Sequence, residues 1–224
     1  MPHDVPWRVG LLWRAQRAAR LVRAVDPAEA DEHVPARFLT CVMRLPPEAA
    51  EELRALTRGL ERVQPAHHYY APESMHLTIA IPGGGGAQPE DLEAKRADLD
   101  RLARGMAPVR LAVRGIAPSP TTLFAALVTR DERLDDAIRV LRSAWRSPSR
   151  PLPMRLLLGR LRHVNVVRYR EPPSPAFLAA AREMRSWAGR PFVADAFELV
   201  RTNTVLAPGR TSTLARVVLG SGAP

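Results

Sequence analysis

His76-Leu77-Thr78-Ile79 and His163-Val164-Asn165-Val166 repeat one pattern: a histidine, an apolar residue, a small polar residue and a second apolar residue. In a β-strand, residues i and i+2 point to the same face. His76 and Thr78 therefore project together, while Leu77 and Ile79 face a core, and the same holds for His163 and Asn165. Two such strands brought together would place two imidazoles and two hydrogen-bonding side chains in one cleft. That set suits acid–base chemistry on a phosphate ester.

Around these strands the chain alternates strands and helices. Residues 36–45 (ARFLTCVMRL) read as a strand, and Pro46-Pro47 opens a helix to Val63 with Glu48, Glu51 and Glu52 in its first turns. A loop over 64–75 leads into a strand from His76 to Ile81, which Pro82 and Gly83–Gly86 end; the glycines suit a mobile turn at the cleft rim. A helix from Pro89 to Met106 and strands at 109–116 and 122–129 follow. The order then returns: a helix over 131–146, a Pro/Ser/Arg-rich loop over 147–155, a strand within 156–169, and a helix from Pro175 to Ala188 capped by Ser174. Strands at 192–201 and 212–219 close the chain. Phe38 precedes His76 by 38 residues and Phe124 precedes His163 by 39, through the same succession of elements. The expectation is an α+β fold of two pseudo-symmetric β-α-β-α-β units, with mostly antiparallel sheets around a central cleft.

The N-terminal part differs. Residues 7–25 carry Leu11, Leu12, Ala15, Ala18, Ala19 and Val22 at helical spacing with arginines on the other side, and 26–35 read as a linker. The domain reading is thus a basic helix and linker over 1–35 and a bilobal domain over 36–220, with lobes of roughly 36–121 and 122–220.

The 224-residue chain carries a net charge of +10, and only Lys95 among its 33 basic residues is lysine. Such a surface attracts polyanions such as RNA, and arginine is the better bidentate phosphate ligand. No run approaches the roughly 18 apolar residues of a membrane span, arginines interrupt the only N-terminal apolar run, and the single Cys41 forms no intramolecular disulfide. A soluble, cytoplasmic monomer is expected. The two histidines lie far apart with no Asp, Glu or Cys at ligand spacing, so no metal site is expected, nor any cofactor.

On the strength of His76-Leu77-Thr78-Ile79 and His163-Val164-Asn165-Val166, residues 36–220 resemble the two-histidine (2H) phosphoesterase superfamily, which includes bacterial 2′-5′ RNA ligase-like proteins and cyclic phosphodiesterases. The resemblance implies a bilobal α+β fold with antiparallel sheets flanking a cleft. It also implies metal-independent cleavage of 2′,3′-cyclic phosphates or 2′-5′ bonds in RNA termini or nucleotides. His76 and His163 take the catalytic positions and Thr78 and Asn165 the phosphate-binding ones. Asn165 stands where the family pattern has Thr or Ser; its amide can still donate to a phosphate oxygen.

Secondary candidates surround the motifs. Tyr69 and Tyr70 precede His76 and could stack on a base, while His67 and His68 beside them read as exposed loop residues. Tyr169, at an even offset from His163, shares its face on an ideal strand. Arg168, at an odd offset, reaches that face only through a twist or bulge. Arg201, Arg210 and Arg216 read as solvated charge. Two alternatives stand beside the enzyme reading: a non-catalytic module binding RNA or a phosphorylated ligand through the same cleft, and a protein-interaction role for the N-terminal helix.

Overall fold

The computed structural model describes residues 4–17, 25, 27–36, 38–82, 89–147 and 161–220. Among these residues, nine strands alternate with five helices: α1 (Asp4–Arg17), β1 (Phe38–Arg44), α2 (Pro47–Val63), β2 (His68–Tyr69), β3 (His76–Ala80), α3 (Pro89–Arg104), β4 (Val109–Pro118), β5 (Thr122–Val128), α4 (Glu132–Ala144), β6 (Arg162–Arg168), α5 (Pro175–Glu183), β7 (Phe192–Ala194), β8 (Ala196–Thr202) and β9 (Ser212–Val218). The glycine stretch Gly83–Gly86 and most of the 147–155 loop lie outside the described residues.

Local chemistry explains the helices. Pro47 starts α2 with Glu48 in its first turn and Arg62 in its last, so both charges oppose the helix dipole. Ala50, Leu53, Thr57 and Leu60 recur at helical spacing and form its buried stripe. Asp131 caps α4 by accepting from the Arg133 amide at 3.0 Å, and Ser174 caps α5 by accepting from the Phe177 amide at 3.2 Å.

The strands run in the order β7-β4-β5-β6-β3-β1-β8-β9, with β2 added to β6. Every named pair is antiparallel. The order is symmetric about its centre. Outward from β6 come β5, β4 and β7, and outward from β3 come β1, β8 and β9. The centre is also the weakest ladder, a single residue pair of Leu77 with Val164, so two antiparallel groups meet at a narrow seam. The groups exchange strands along the chain. β4 comes from the earlier stretch but pairs with β5, while β8 and β9 come from the later stretch and continue from β1.

Helices and core fill one side of the seam, where Leu77, Ile79, Val164 and Val166 are all buried. The N-terminal helix joins this core. It begins earlier than its apolar stripe suggests, at Asp4, and residues 18–24 lie outside the described residues. Val9, Leu12 and Trp13 are buried, and the Trp13 indole N–H donates to the Ile116 carbonyl at 2.8 Å. α1 is therefore a layer of the fold rather than a free appendage, because burying these side chains removes apolar surface from water.

Candidate active site at the seam

The register gathers both motifs on one face. Leu77 lies opposite Val164, so extending the ladder one residue each way sets His76 level with Asn165 and Thr78 level with His163. The two strands lie side by side within one sheet rather than facing each other across a gap. On the far side of β3, Arg44 pairs with His76 and Val42 with Thr78. On the far side of β6, Phe124 pairs with Asn165 and Ala126 with His163. The Phe124 ring sits 5.0 Å from the His163 imidazole at 56°, which confirms that both point to this face.

The histidines have unlike surroundings. His76 is 6% exposed, and its Nδ1 lies 2.7 Å from the Ser74 carbonyl. A carbonyl only accepts, so Nδ1 carries the proton and Nε2 is the free lone pair of the neutral ring. Burial pushes its pKa down to about 4; the Ser74 hydrogen bond opposes that shift and the neighbouring Arg44 guanidinium adds to it. Ser74 is itself fixed, since its hydroxyl donates to the Leu206 carbonyl at 2.9 Å. Arg44 is held by Glu198 at 2.7 Å and by the Glu73 carbonyl. His163 is half-buried and Thr78 exposed. Both border an open cleft of about 240 Å³ that is also lined by Leu77, Arg162 and, from α4, Asp135, Arg139 and Arg142. Asp135 pairs with Arg162, and Arg139 with Asp136.

Arg168 reaches the histidine face, and the reason is a bulge. Phe124 pairs with Asn165 but Leu123 with Val167, so β6 has one residue more than β5 at this point. The alternation flips, and Arg168, paired with Thr122 and with His68 of β2, lies on the side of Asn165. The same flip corrects the reading of Tyr169. It faces away from the histidines and packs fully buried on Phe177 and His67, with ring separations of 6.0 and 5.2 Å. Tyr69 is also turned elsewhere, its hydroxyl donating to the Gln64 carbonyl at 2.8 Å. His67 and His68 are not exposed loop residues. His67 is buried against Phe177, and His68 packs on Tyr70 at 5.0 Å. Burial lowers both pKa values, that of His68 to about 4.

Tyr70 is wholly buried and so is no platform for a base. Its hydroxyl lies beside Asn165 and Arg168, both of which favour its ionised form, although burial outweighs them and raises its pKa. Neither neighbour makes a well-formed hydrogen bond to it. Among the described residues, the Tyr70 hydroxyl, Asn165 Oδ1 and His68 Nε2 are all buried without a partner. Arg216 is paired with Asp195 at 3.1 Å, and Arg201 and Arg210 are exposed. The sequence reading missed Arg44, Ser74 and Phe124. Only Arg44 left a trace, as a charge ending an otherwise apolar strand. The other two are recruited by long-range pairing and by a turn.

Residues 44–126 match the family model described as LigT like phosphoesterase. No curated protein matches the chain. Among solved structures, TT0787 of Thermus thermophilus is 24% identical with a TM-score of 0.56, over 83% of this chain and 100% of that one. E. coli LigT complexed with 3′-AMP is 20% identical with a TM-score of 0.56, over 82% and 98%. The conserved protein of unknown function ATU0111 from Agrobacterium tumefaciens is 13% identical with a TM-score of 0.52, over 85% and 88%. The chain is therefore similar to the LigT-like phosphoesterases, in sequence over residues 44–126 and in fold over 83% of its length.

Proposed function

We propose that the chain is a metal-independent phosphoesterase that opens 2′,3′-cyclic phosphates or cleaves 2′-5′ bonds in RNA ends or nucleotides. The observation that carries this reading is the seam register, which sets His76, Thr78, His163 and Asn165 on one face. His76 and His163 are diagonal across the ladder, and diagonal neighbours lie roughly 7–8 Å apart. That spacing leaves room for one phosphoryl group between the imidazoles, as in-line displacement requires.

His76 is the base. Its Nε2 takes a proton from water, the oxygen attacks phosphorus, and the bond from phosphorus to the leaving ribose oxygen breaks. His163, at the open side, gives that oxygen its proton. Thr78 and the Asn165 amide hold non-bridging oxygens, where donors aimed at developing charge act most strongly, and Arg168 adds a cation. The net charge of +10 favours an anionic substrate. E. coli LigT structures carrying NADP+ and 3′-AMP support a nucleotide-like ligand for this fold.

The test is hydrolysis of nucleoside 2′,3′-cyclic monophosphates, and of a short RNA ending in a cyclic phosphate, in EDTA. Turnover by the wild-type chain that both His76→Ala and His163→Ala lose supports the reading. A folded wild-type chain that turns over neither substrate sinks it.

A further inference from the structure

Residues 29–34, between α1 and β1, are tied across the phosphate end of the site. The Glu29 carboxylate pairs with Arg168. The Arg170 guanidinium donates to the Ala30 carbonyl at 3.3 and 3.1 Å, and Ala30 is fully buried. Further on, the Asn203 amide donates to the carbonyls of Glu32 and Val34 at 3.0 and 3.2 Å. Residues 29–34 thus bridge the two halves of the sheet, from the end of β6 to the loop after β8. Beneath the Glu29 end lie Tyr70, Asn165 and His68, whose buried polar atoms have no partner among the described residues. Glu29 is close enough to Tyr70 to raise its pKa, and Glu32 acts in the same direction on His68.

These facts are hard to reconcile with a purely structural strap. Buried polar groups left unpaired destabilise a fold, and here they cluster beside the one arginine that the bulge turns onto the histidine face. An oxyanion at this place accepts from the buried Tyr70 hydroxyl and the Arg168 guanidinium together. A carboxylate reaching in from outside the sheet satisfies only the arginine.

We propose that residues 29–34 are an autoinhibitory strap, and that Glu29 holds Arg168 in the place of a substrate phosphate oxygen. The inference rests on the phosphoesterase reading of the site for its substrate, but not for the contact itself. A phosphate entering the site displaces the Glu29 carboxylate, so the strap sets a threshold that only a well-bound anion passes. Arg170 and Asn203 keep it near the site when displaced.

The experiment compares the full chain with Glu29→Gln, which is nearly isosteric and removes only the charge. Cyclic monophosphate turnover and inorganic phosphate binding by calorimetry are both read. The full chain is required because α1 contributes Val9, Leu12 and Trp13 to the core. Glu29→Gln should raise kcat/KM about fivefold or more, mainly through KM, and tighten phosphate binding by a similar factor. The gain should vanish in Glu29→Gln/Arg168→Gln. Arg170→Gln, which unties Ala30 without touching Arg168, should give a smaller gain in the same direction. Turnover in wild type with no gain in either readout for Glu29→Gln or Arg170→Gln overturns the strap and leaves the phosphoesterase reading intact. Tighter phosphate binding in Glu29→Gln with no turnover in any chain supports the strap and overturns the phosphoesterase reading.

Discussion

β3 and β6 occupy equivalent places on either side of the seam, yet their histidines are held in opposite ways. His76 is enclosed, its tautomer set by the Ser74 carbonyl and its proton disfavoured by burial and then by Arg44. His163 sits half-exposed on the Phe124 ring, at the mouth of a cleft that α4 lines with both signs of charge. On the proposed reading, the pseudo-symmetric architecture supplies the placement that in-line chemistry needs, and the unequal surroundings assign base to His76 and acid to His163. The small polar partners differ in the same sense. Thr78 is exposed beside His163, while Asn165 has a buried, unpartnered Oδ1 near Tyr70.

The sharpest way to break the comparison is to remove each histidine in turn. If both act directly on the proton transfers, His76→Ala and His163→Ala each lower kcat by about 10²–10⁴-fold, and the double variant falls little further than either single one. A variant that keeps more than a tenth of wild-type kcat would strip its histidine of a catalytic role and leave the other as the one working group.

The enclosure of His76 also has a cost in stability that titration exposes. Its folded pKa of about 4 lies below the usual 6.5, so the unfolded chain binds the proton first. The stability of the neutral, buried state is complete above about pH 6.5 and is lost as pH falls towards 4. At 1.36 kcal/mol per pKa unit, this amounts to about 3 kcal/mol. His68, also lowered to about 4, adds to the same window. His76→Asn should therefore lose less stability than wild type between pH 7 and 4, as read from urea midpoints. Parallel curves for the two proteins would show that His76 binds its proton as readily in the fold as in the unfolded chain.

Replacing the polar partners probes the second asymmetry. Thr78→Val keeps shape and removes the hydroxyl, and should cost about 10²-fold in kcat, the scale of one lost oxyanion donor. Asn165→Thr restores a hydroxyl at the equivalent place and should stay within about tenfold of wild type. Asn165→Leu should fall as far as Thr78→Val. Equal kcat for Asn165→Leu and wild type would remove Asn165 from the phosphate site.

Much of this arrangement was legible in the chain because strands have a fixed period. Alternation alone puts His76 with Thr78 and His163 with Asn165, and the apolar residues between them fix which face is the core. The succession of elements likewise conveyed the pseudo-symmetry. What local pattern could not carry is anything that depends on a partner strand. The bulge opposite Phe124 and Leu123 reverses the faces of Arg168 and Tyr169, and it exists only in the pairing of β5 with β6. The burial of His67 between Tyr169 and Phe177 depends on α5 closing over it. The exchange of β4 for β8 and β9 between the two groups leaves no mark in either segment, since each strand reads the same whichever neighbour it has.

Arg44 offers the finest test of the difference between the histidines, because it changes one set of surroundings and not the other. Its guanidinium sits level with His76 across β1 and β3 and is held there by Glu198 at 2.7 Å. Burial is the main cause of the low His76 pKa, with the Arg44 charge a lesser one. Arg44→Gln removes the cation and leaves the Glu198 carboxylate, and both changes favour the protonated imidazole. The folded pKa should therefore rise from about 4 towards neutrality, by less than about one unit for a partly screened charge. If His76 is the base, the acid limb of kcat/KM follows it upward. The variant then loses less than about tenfold at pH 4.5 and almost nothing at pH 8. An acid limb that stays in place while activity falls equally at all pH values would make Arg44 a substrate contact rather than a neighbour that tunes the base. The inequality between the two histidines would then rest on burial alone.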